Sequence, residues 1–212
     1  GQGNFSAAVA ELVGGKGKVV AVDLTHEYVD EMNEKLGRYN VGEVVTFLKA
    51  DACHLRSKLP PESLDLALSY RLIEELKRPE KLPRIICEMV RLVRPRGVVA
   101  MVELSTETRN EAEENLVKLH RDVGHDYFPN PRVVIRYMKE AGLKMVGVET
   151  VESNIWYSPA LFLKGDIGQD GFWRESREQA MKELLPSIKR HGVKFPPLRC
   201  FSGHVADLEN VV

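Results

Sequence analysis

A Gly-x-Gly turn that opens a helix, followed by a short apolar strand ending in a carboxylate, constrains the fold of this chain more than any other feature. Gly1-Gln2-Gly3-Asn4-Phe5-Ser6 leads into a predicted helix from Phe5 to about Val13. Gly14-Gly15-Lys16-Gly17 stops that helix, Lys18 to Val22 reads as a buried strand, and Asp23 stands at the strand's carboxyl end. Glycines let the backbone approach a ligand at a helix N-terminus, and a carboxylate at the end of the next strand takes ribose hydroxyls. The expectation is a doubly wound α/β sheet with a nucleoside site. A strand is expected ahead of Gly1, which makes the chain begin inside its own motif.

A second carboxylate repeats the pattern one βα unit later. Leu24 to about Gly37 reads as a helix, with Thr25 as N-cap, apolar Tyr28, Val29, Met32 and Leu36 at helical spacing, and Gly37 as its stop. Glu43 to Leu48 reads as the next strand, and Asp51 follows it within Lys49-Ala50-Asp51-Ala52. Alone, Asp51 would be an ordinary solvated loop residue. One unit after Asp23, both carboxylates are expected at the carboxyl edge of the sheet, where ligands bind in open α/β folds.

The rest of the chain continues the alternation. Leu64 to Leu68 is a short strand, with Ser69-Tyr70-Arg71 at its end. Arg71 there suits a substrate carboxylate or phosphate, or else simply starts the next helix on the surface. Lys81 to Val93 has the apolar stripe of an amphipathic helix, ended by a turn at Arg94-Pro95-Arg96-Gly97. Val98 to Val102 reads as a strand buried on both faces, with Glu103 and Ser105 after it. A charged helix from Glu107 to about Val123 runs into the loop Gly124 to Pro131, rich in aromatics and proline. A helix (Arg132 to Ala141) and a strand (Leu143 to Val151) come next. A helix from Phe172 to His191, kinked or ended at Pro186, is inserted before a final strand, Leu198 to Val205.

The order of these features resembles the class I S-adenosylmethionine-dependent methyltransferases over about residues 1 to 151. Gly1-Gln2-Gly3-Asn4-Phe5 is similar to the second half of that family's glycine-rich loop, and Val93 to Val98 is similar to its proline-glycine turn before strand five. The resemblance implies a Rossmann-like, mostly parallel sheet with helices on both faces and an antiparallel last strand. The first central strand and the first acidic residue of the loop would precede Gly1, or the C-terminal Glu209 to Val212 would supply that strand in a permuted arrangement. It implies S-adenosyl-L-methionine as cofactor, with Gly1 and Gly3 in its loop. Asp23 would take the ribose, Leu24 would pack on the adenine, Asp51 and Ala52 would face the adenine edge, and Ser69 would lie beside them. One domain over 1–212 is expected, with 1–151 as its cofactor-binding core.

Catalysis is less legible. In-line displacement at a sulfonium asks mainly for positioning, and a general base depends on the acceptor. Tyr70, Arg71, His125 and Tyr127 are the candidates for substrate contacts, and His125, Asp126 and Tyr127 for a base, set against a plain surface loop. Ser69-Tyr70-Arg71 is not the Asn-Pro-Pro-Tyr type used on nucleobase nitrogens. A net charge of −1 also speaks against a nucleic-acid partner, so a small-molecule acceptor is expected. His120 and His125 are poorly spaced for a metal, and none is expected. Cys53 reads as a small buried residue rather than a nucleophile, and Trp156 and Trp173 as core or lid aromatics. Three widely spaced cysteines argue for a reducing compartment, the cytoplasm. The rival readings are an NAD-dependent oxidoreductase, disfavoured by Ser6 where that fingerprint wants Gly or Ala, and a non-catalytic cofactor-binding partner or regulatory subunit on the same fold.

Overall fold

A computed structural model describes residues 3–76, 79–124, 126–157 and 175–207. Gly1, His125, Trp173 and the C-terminal Glu209 to Val212, all named in the sequence reading, lie outside the described residues. The chain divides into two compact units, Gly1–Ser63 and Leu64–Val212.

In the first unit, helix α1 (Asn4–Val13) begins at Gly3, whose left-handed φ of 77° turns the chain into the helix. A Cβ at Gly3 would lie 2.2 Å from Met32 Cγ, so both the conformation and the packing require glycine there. Gly14 at φ 62° ends α1 as expected. Strand β1 (Val19–Asp23) pairs in parallel with β2 (Val45–Lys49), in register from Val19 opposite Val45 to Asp23 opposite Lys49. Helix α2 (Val29–Arg38) joins them. Ala7, Ala10, Met32, Leu36 and Val41 form the core of this unit. Three expectations need correction. The strand read as buried is half-buried along its whole length, since among the described residues only β2 pairs with it. Thr25 does not cap α2, which starts four residues later, because its amide and hydroxyl turn back to Asp23. Gly37 lies inside α2, and the reversal comes at Asn40, with φ 55°.

The second unit holds a four-stranded mixed sheet in the order β3-β4-β8-β5. Strand β3 (Leu64–Tyr70) runs parallel to β4 (Val93–Leu104). The last strand, β8 (Leu198–His204), lies antiparallel between β4 and β5 (Lys144–Val151), as the resemblance implies. Helix α3 (Leu82–Leu92) buries Leu82, Ile85, Ile86, Met89 and Leu92, and packs on β3, β4 and helix α5 (Pro131–Glu140). Arg94-Pro95-Arg96-Gly97 belongs to β4 rather than to a turn outside it. The ladder is irregular there: Arg96 has φ 67°, and a Cβ at Gly97 would meet Asp65 O at 2.7 Å.

The charged helix is shorter than expected. Helix α4 (Glu111–Lys118) is capped by Asn110, which accepts from the Glu113 amide, and it passes into a π-helical turn over Leu119–Gly124. Helix α6 (Glu175–His191) continues through Pro186, and the turn after the proline is tied to α4 by Ser187 Oγ donating to Asn115 at 2.8 Å. Short strands β6 (Trp156–Tyr157) and β7 (Val193–Lys194) pair beside it. Leu104, Leu116, Leu119, Leu184, Ile188, Val193 and Phe195 pack together between these elements. Trp156 is exposed, not core, with Lys194 Nζ 5.7 Å from its ring centre. Cys53 is buried as expected, and none of the three cysteines forms a disulfide among the described residues. Among the described residues no helix is long and apolar enough to cross a membrane.

Candidate active site

In the first unit, the carboxyl ends of two adjacent parallel strands carry the two predicted carboxylates. Asp23 is the last residue of β1, and its carbonyl accepts from the Ala50 amide at 2.9 Å, which brings the segment after β2 alongside it. Asp23 Oδ1 accepts from the Thr25 amide at 3.0 Å, and Asp51 Oδ1 accepts from the Cys53 amide at 2.9 Å. Each aspartate thus closes a turn on its own backbone, which holds the carboxylate at the strand end instead of letting it swing into solvent. His54 Nδ1 is 3.5 Å from Asp51 Oδ2.

Leu24, next to Asp23, is 63% exposed, an uncovered apolar side chain of the kind a flat base packs on. Ala52 is half-buried. Asp23, Thr25, Tyr28, Val29, Met32 and Phe47 line a small recess. The recess has no room for a water molecule, so what suits a nucleoside is its rim, where the Asp23 carboxylate can accept from ribose hydroxyls and the exposed Leu24 can lie against a base. The residues present therefore fit an adenosine-containing group. Gly3, one of the predicted cofactor residues, has Met32 where its side chain would be, so its glycine is explained by helix packing.

The second unit gathers a buried polar cluster at the carboxyl ends of β3 and β4. Ser69 is buried, and its hydroxyl has no hydrogen-bond partner among the described residues. Tyr70 closes β3 and is partly exposed. Arg71 does not start a helix: it sits in a tight turn at φ 52°, its amide donating to Val102 O at 2.7 Å. A non-glycine residue in that region costs about 1–3 kcal/mol, and such strain concentrates at functional sites. The turn aims the guanidinium at Glu74, with Nε donating to Oε1 at 2.6 Å, and at the face of Phe195, 5.4 Å from its centre.

Two buried carboxyls support this turn. Glu103 lies within β4, not after it, and accepts the amides of Leu72 and Ile73 at 3.2 Å. Burial pushes the Glu103 carboxyl up to about 8; the two amides offset part of that, while neighbouring Glu74 adds to it. Burial likewise raises Glu74 against the pull of Arg71. Beyond Arg71, His120 Nε2 is 3.4 Å from Arg71 Nη2, and His120 Nδ1 is 2.6 Å from Asp126 Oδ2. Tyr127 is held by its amide to Glu74 O at 3.0 Å, which docks the aromatic loop on the cluster.

The sequence reading therefore named Tyr70, Arg71, Asp126 and Tyr127 as site candidates; it noted Glu103 without a role, weighed His120 only as a metal ligand, and did not name Glu74. Strand register was the available signal for Glu103, since a glutamate set between Val102 and Leu104 remains in the sheet. Nothing local marked His120, which lies in an ordinary amphipathic pattern. A separate open cleft is lined by Arg109, Asn110, Glu111, Trp156 and His191 among others, and its Arg109 is occupied by a two-bond pair with Glu152.

Residues 1–101 match the methyltransferase domain family. No curated protein matches the sequence. Solved structures share the fold at low identity. The (4+2)-cyclase SpnF superposes with a TM-score of 0.65 at 16% identity, over 97% of this chain and 72% of that one. A SAM-dependent methyltransferase from Aquifex aeolicus gives 0.56 at 18%, over 97% and 78%. Phosphoethanolamine N-methyltransferase 2 of Haemonchus contortus, solved with S-adenosylhomocysteine, gives 0.53 at 16%, over 90% and 44%.

Proposed function

We propose that the chain, whose residues 1–101 match the methyltransferase domain family and whose fold is shared by a SAM-dependent methyltransferase of known structure, is a class I enzyme that moves a methyl group from S-adenosylmethionine to a small-molecule acceptor, with both compact units serving one methyltransferase domain. The observation that carries this reading is the pair of carboxylates, Asp23 and Asp51, fixed at neighbouring strand ends. Asp23 takes the ribose hydroxyls and Asp51 the adenine amino group, with Leu24 on the base and the Ala52 backbone at a ring nitrogen. When bound, the cofactor supplies a methyl group on a positive sulfur, a good leaving group. The chain's own task is then to hold an acceptor in line and keep water out.

Arg71 and Tyr70 are the acceptor contacts, with Tyr127 held at the same cluster through Glu74; His125, outside the described residues, is the further candidate from the sequence. Fold alone does not fix the chemistry, as a cyclase with the same fold makes plain. The reading rests on the family match and on the two aspartates. Its test is label transfer from S-adenosylmethionine carrying a labelled methyl group to a panel of phenols, hydroxy acids, amines and thiols. Label in an acceptor supports the proposal; cofactor binding without transfer to any of them favours a non-catalytic partner.

A further inference from the structure

We propose that β5 pairs with the β5 of a second copy of this chain, antiparallel and centred on Gly147, so that the sheet of the second unit continues through a symmetric dimer. The pairing does not depend on the chemistry proposed above. β5 is the last strand of its sheet, and among the described residues it pairs with β8 alone. No backbone hydrogen bond outside that ladder reaches it among these residues. Seven of its eight residues are exposed, with Met145 at 78% and Val148 at 39%. Its outer row of amides and carbonyls is therefore open to a further strand.

Two observations choose a second copy as the occupant. The first is Gly147. It has no left-handed φ, and a Cβ there would meet no atom within 4 Å. Neither conformation nor packing within the described residues asks for glycine at this place, where a β-branched residue would suit a strand better. A glycine inside a strand marks a place where another backbone comes close. On a two-fold axis, Gly147 meets its own copy with no side chains between.

The second is the register. Lys144 stands opposite His204 and Gly147 opposite Ser202, so Met145 and Val146 together face Gly203 as a bulge. A two-fold axis normal to the sheet lays β5 antiparallel on itself, and opposed residues then share a face. With the axis at Gly147 and the bulge counted as one position, Val148 of one copy meets Met145 and Val146 of the other, and Lys144 meets Glu149. Each contact occurs twice. Neither Lys144 nor Glu149 has an ion-pair partner among the described residues. An axis at Val148 would put Lys144 opposite Val151 and leave both charges unmatched. An axis at Glu149 would set the two glutamates face to face, which destabilises a ladder. A bulge and charges on an edge usually deter pairing; on this one register they complement their own copies. The left-handed position of such a bulge is ordinarily glycine. Here it is Met145, at φ 49° with its apolar side chain in solvent, and the second copy's Val148 covers it in the dimer.

The test is the oligomeric state of the full-length protein. Sedimentation velocity over a concentration series is expected to show a reversible dimer. Lys144→Glu sets like charges opposite each other at both ends of the ladder and is expected to weaken the dimer at least about tenfold. Lys144→Glu together with Glu149→Lys exchanges the two charges and is expected to restore it, which separates loss of the interface from loss of the fold. A cross-link reads the register. Cys87 is exposed, so Cys87→Ser serves as the background. In it, Gly147→Cys lies opposite itself and is expected to give a disulfide-linked dimer on mild oxidation. Thr150→Cys, which faces Leu143 of the second copy, is expected to give none. A wild type that stays monomeric throughout the series, a dimer untouched by Lys144→Glu, or linking of Thr150→Cys as readily as Gly147→Cys would overturn the proposal.

Discussion

Replacing Glu113 by Gln should destabilise the second unit more than any surface substitution of the same size. Glu113 is fully buried at the third position of α4, and Lys194 Nζ donates to it at 2.7 Å. Its other oxygen accepts from the Arg109 amide at 2.9 Å. Glutamine keeps the shape and one acceptor but removes the charge, leaving a mostly buried ammonium without its counter-ion. Breaking a buried pair on one side costs about 3 kcal/mol, at the lower end of the usual range because Lys194 is partly exposed. For a chain of this length that is a Tm loss of about 6–12 °C.

Removing both charges, in Glu113→Gln with Lys194→Met, should restore much of the loss, since the penalty is the orphaned charge rather than the absent attraction. The pH dependence follows from the sign of the shift. Burial raises the Glu113 carboxyl, but Lys194 and the Arg109 amide outweigh it and hold the group below the usual carboxylate range. Its contribution is therefore present above the unfolded-state value and lost as pH falls through the folded one. Urea unfolding at pH 7 and stepwise into acid measures both effects. A variant within about 0.5 kcal/mol of wild type at pH 7, the scatter of ordinary surface changes, would refute the reasoning.

Glu103 gives the opposite slope. Its carboxyl is raised to about 8, so the stability linked to it is full below the unfolded value and drains away as pH rises through about 8. The urea midpoint of the wild type should fall over that interval, and that of Glu103→Gln should fall less. Gly3→Ala should cost about 1–3 kcal/mol, from the left-handed φ and the Met32 contact together, seen as faster amide exchange in α1 and α2 than in the wild type.

What the sequence made legible follows from what acts locally. Apolar runs ending in Asp23 and Asp51 mark strand ends because period and burial are written in consecutive residues, and the structure puts β1 and β2 side by side in that register. The last strand was readable as a strand for the same reason, but its antiparallel direction came from the resemblance, since direction is not written in local period. The errors come from competition between local and distant partners. Thr25 has a capping side chain, yet the nearer Asp23 carboxylate claims it. Arg94 to Gly97 has turn composition, yet pairing with β3 draws it into the sheet with its turn geometry intact. His120 and Asp126 are six residues apart, a spacing no regular helix brings together; the π-helical turn and the loop after it do so.

The central claim, an adenosine site built on Asp23, is tested most directly by calorimetric titration of S-adenosylhomocysteine into the full-length protein and its Asp23→Ala variant, with NAD as control. The account predicts micromolar binding of the homocysteine compound alone. It also predicts binding at least about tenfold weaker in the variant, the loss of a charge-assisted hydrogen bond to ribose. An unchanged dissociation constant in Asp23→Ala, or binding of NAD in place of S-adenosylhomocysteine, would contradict it.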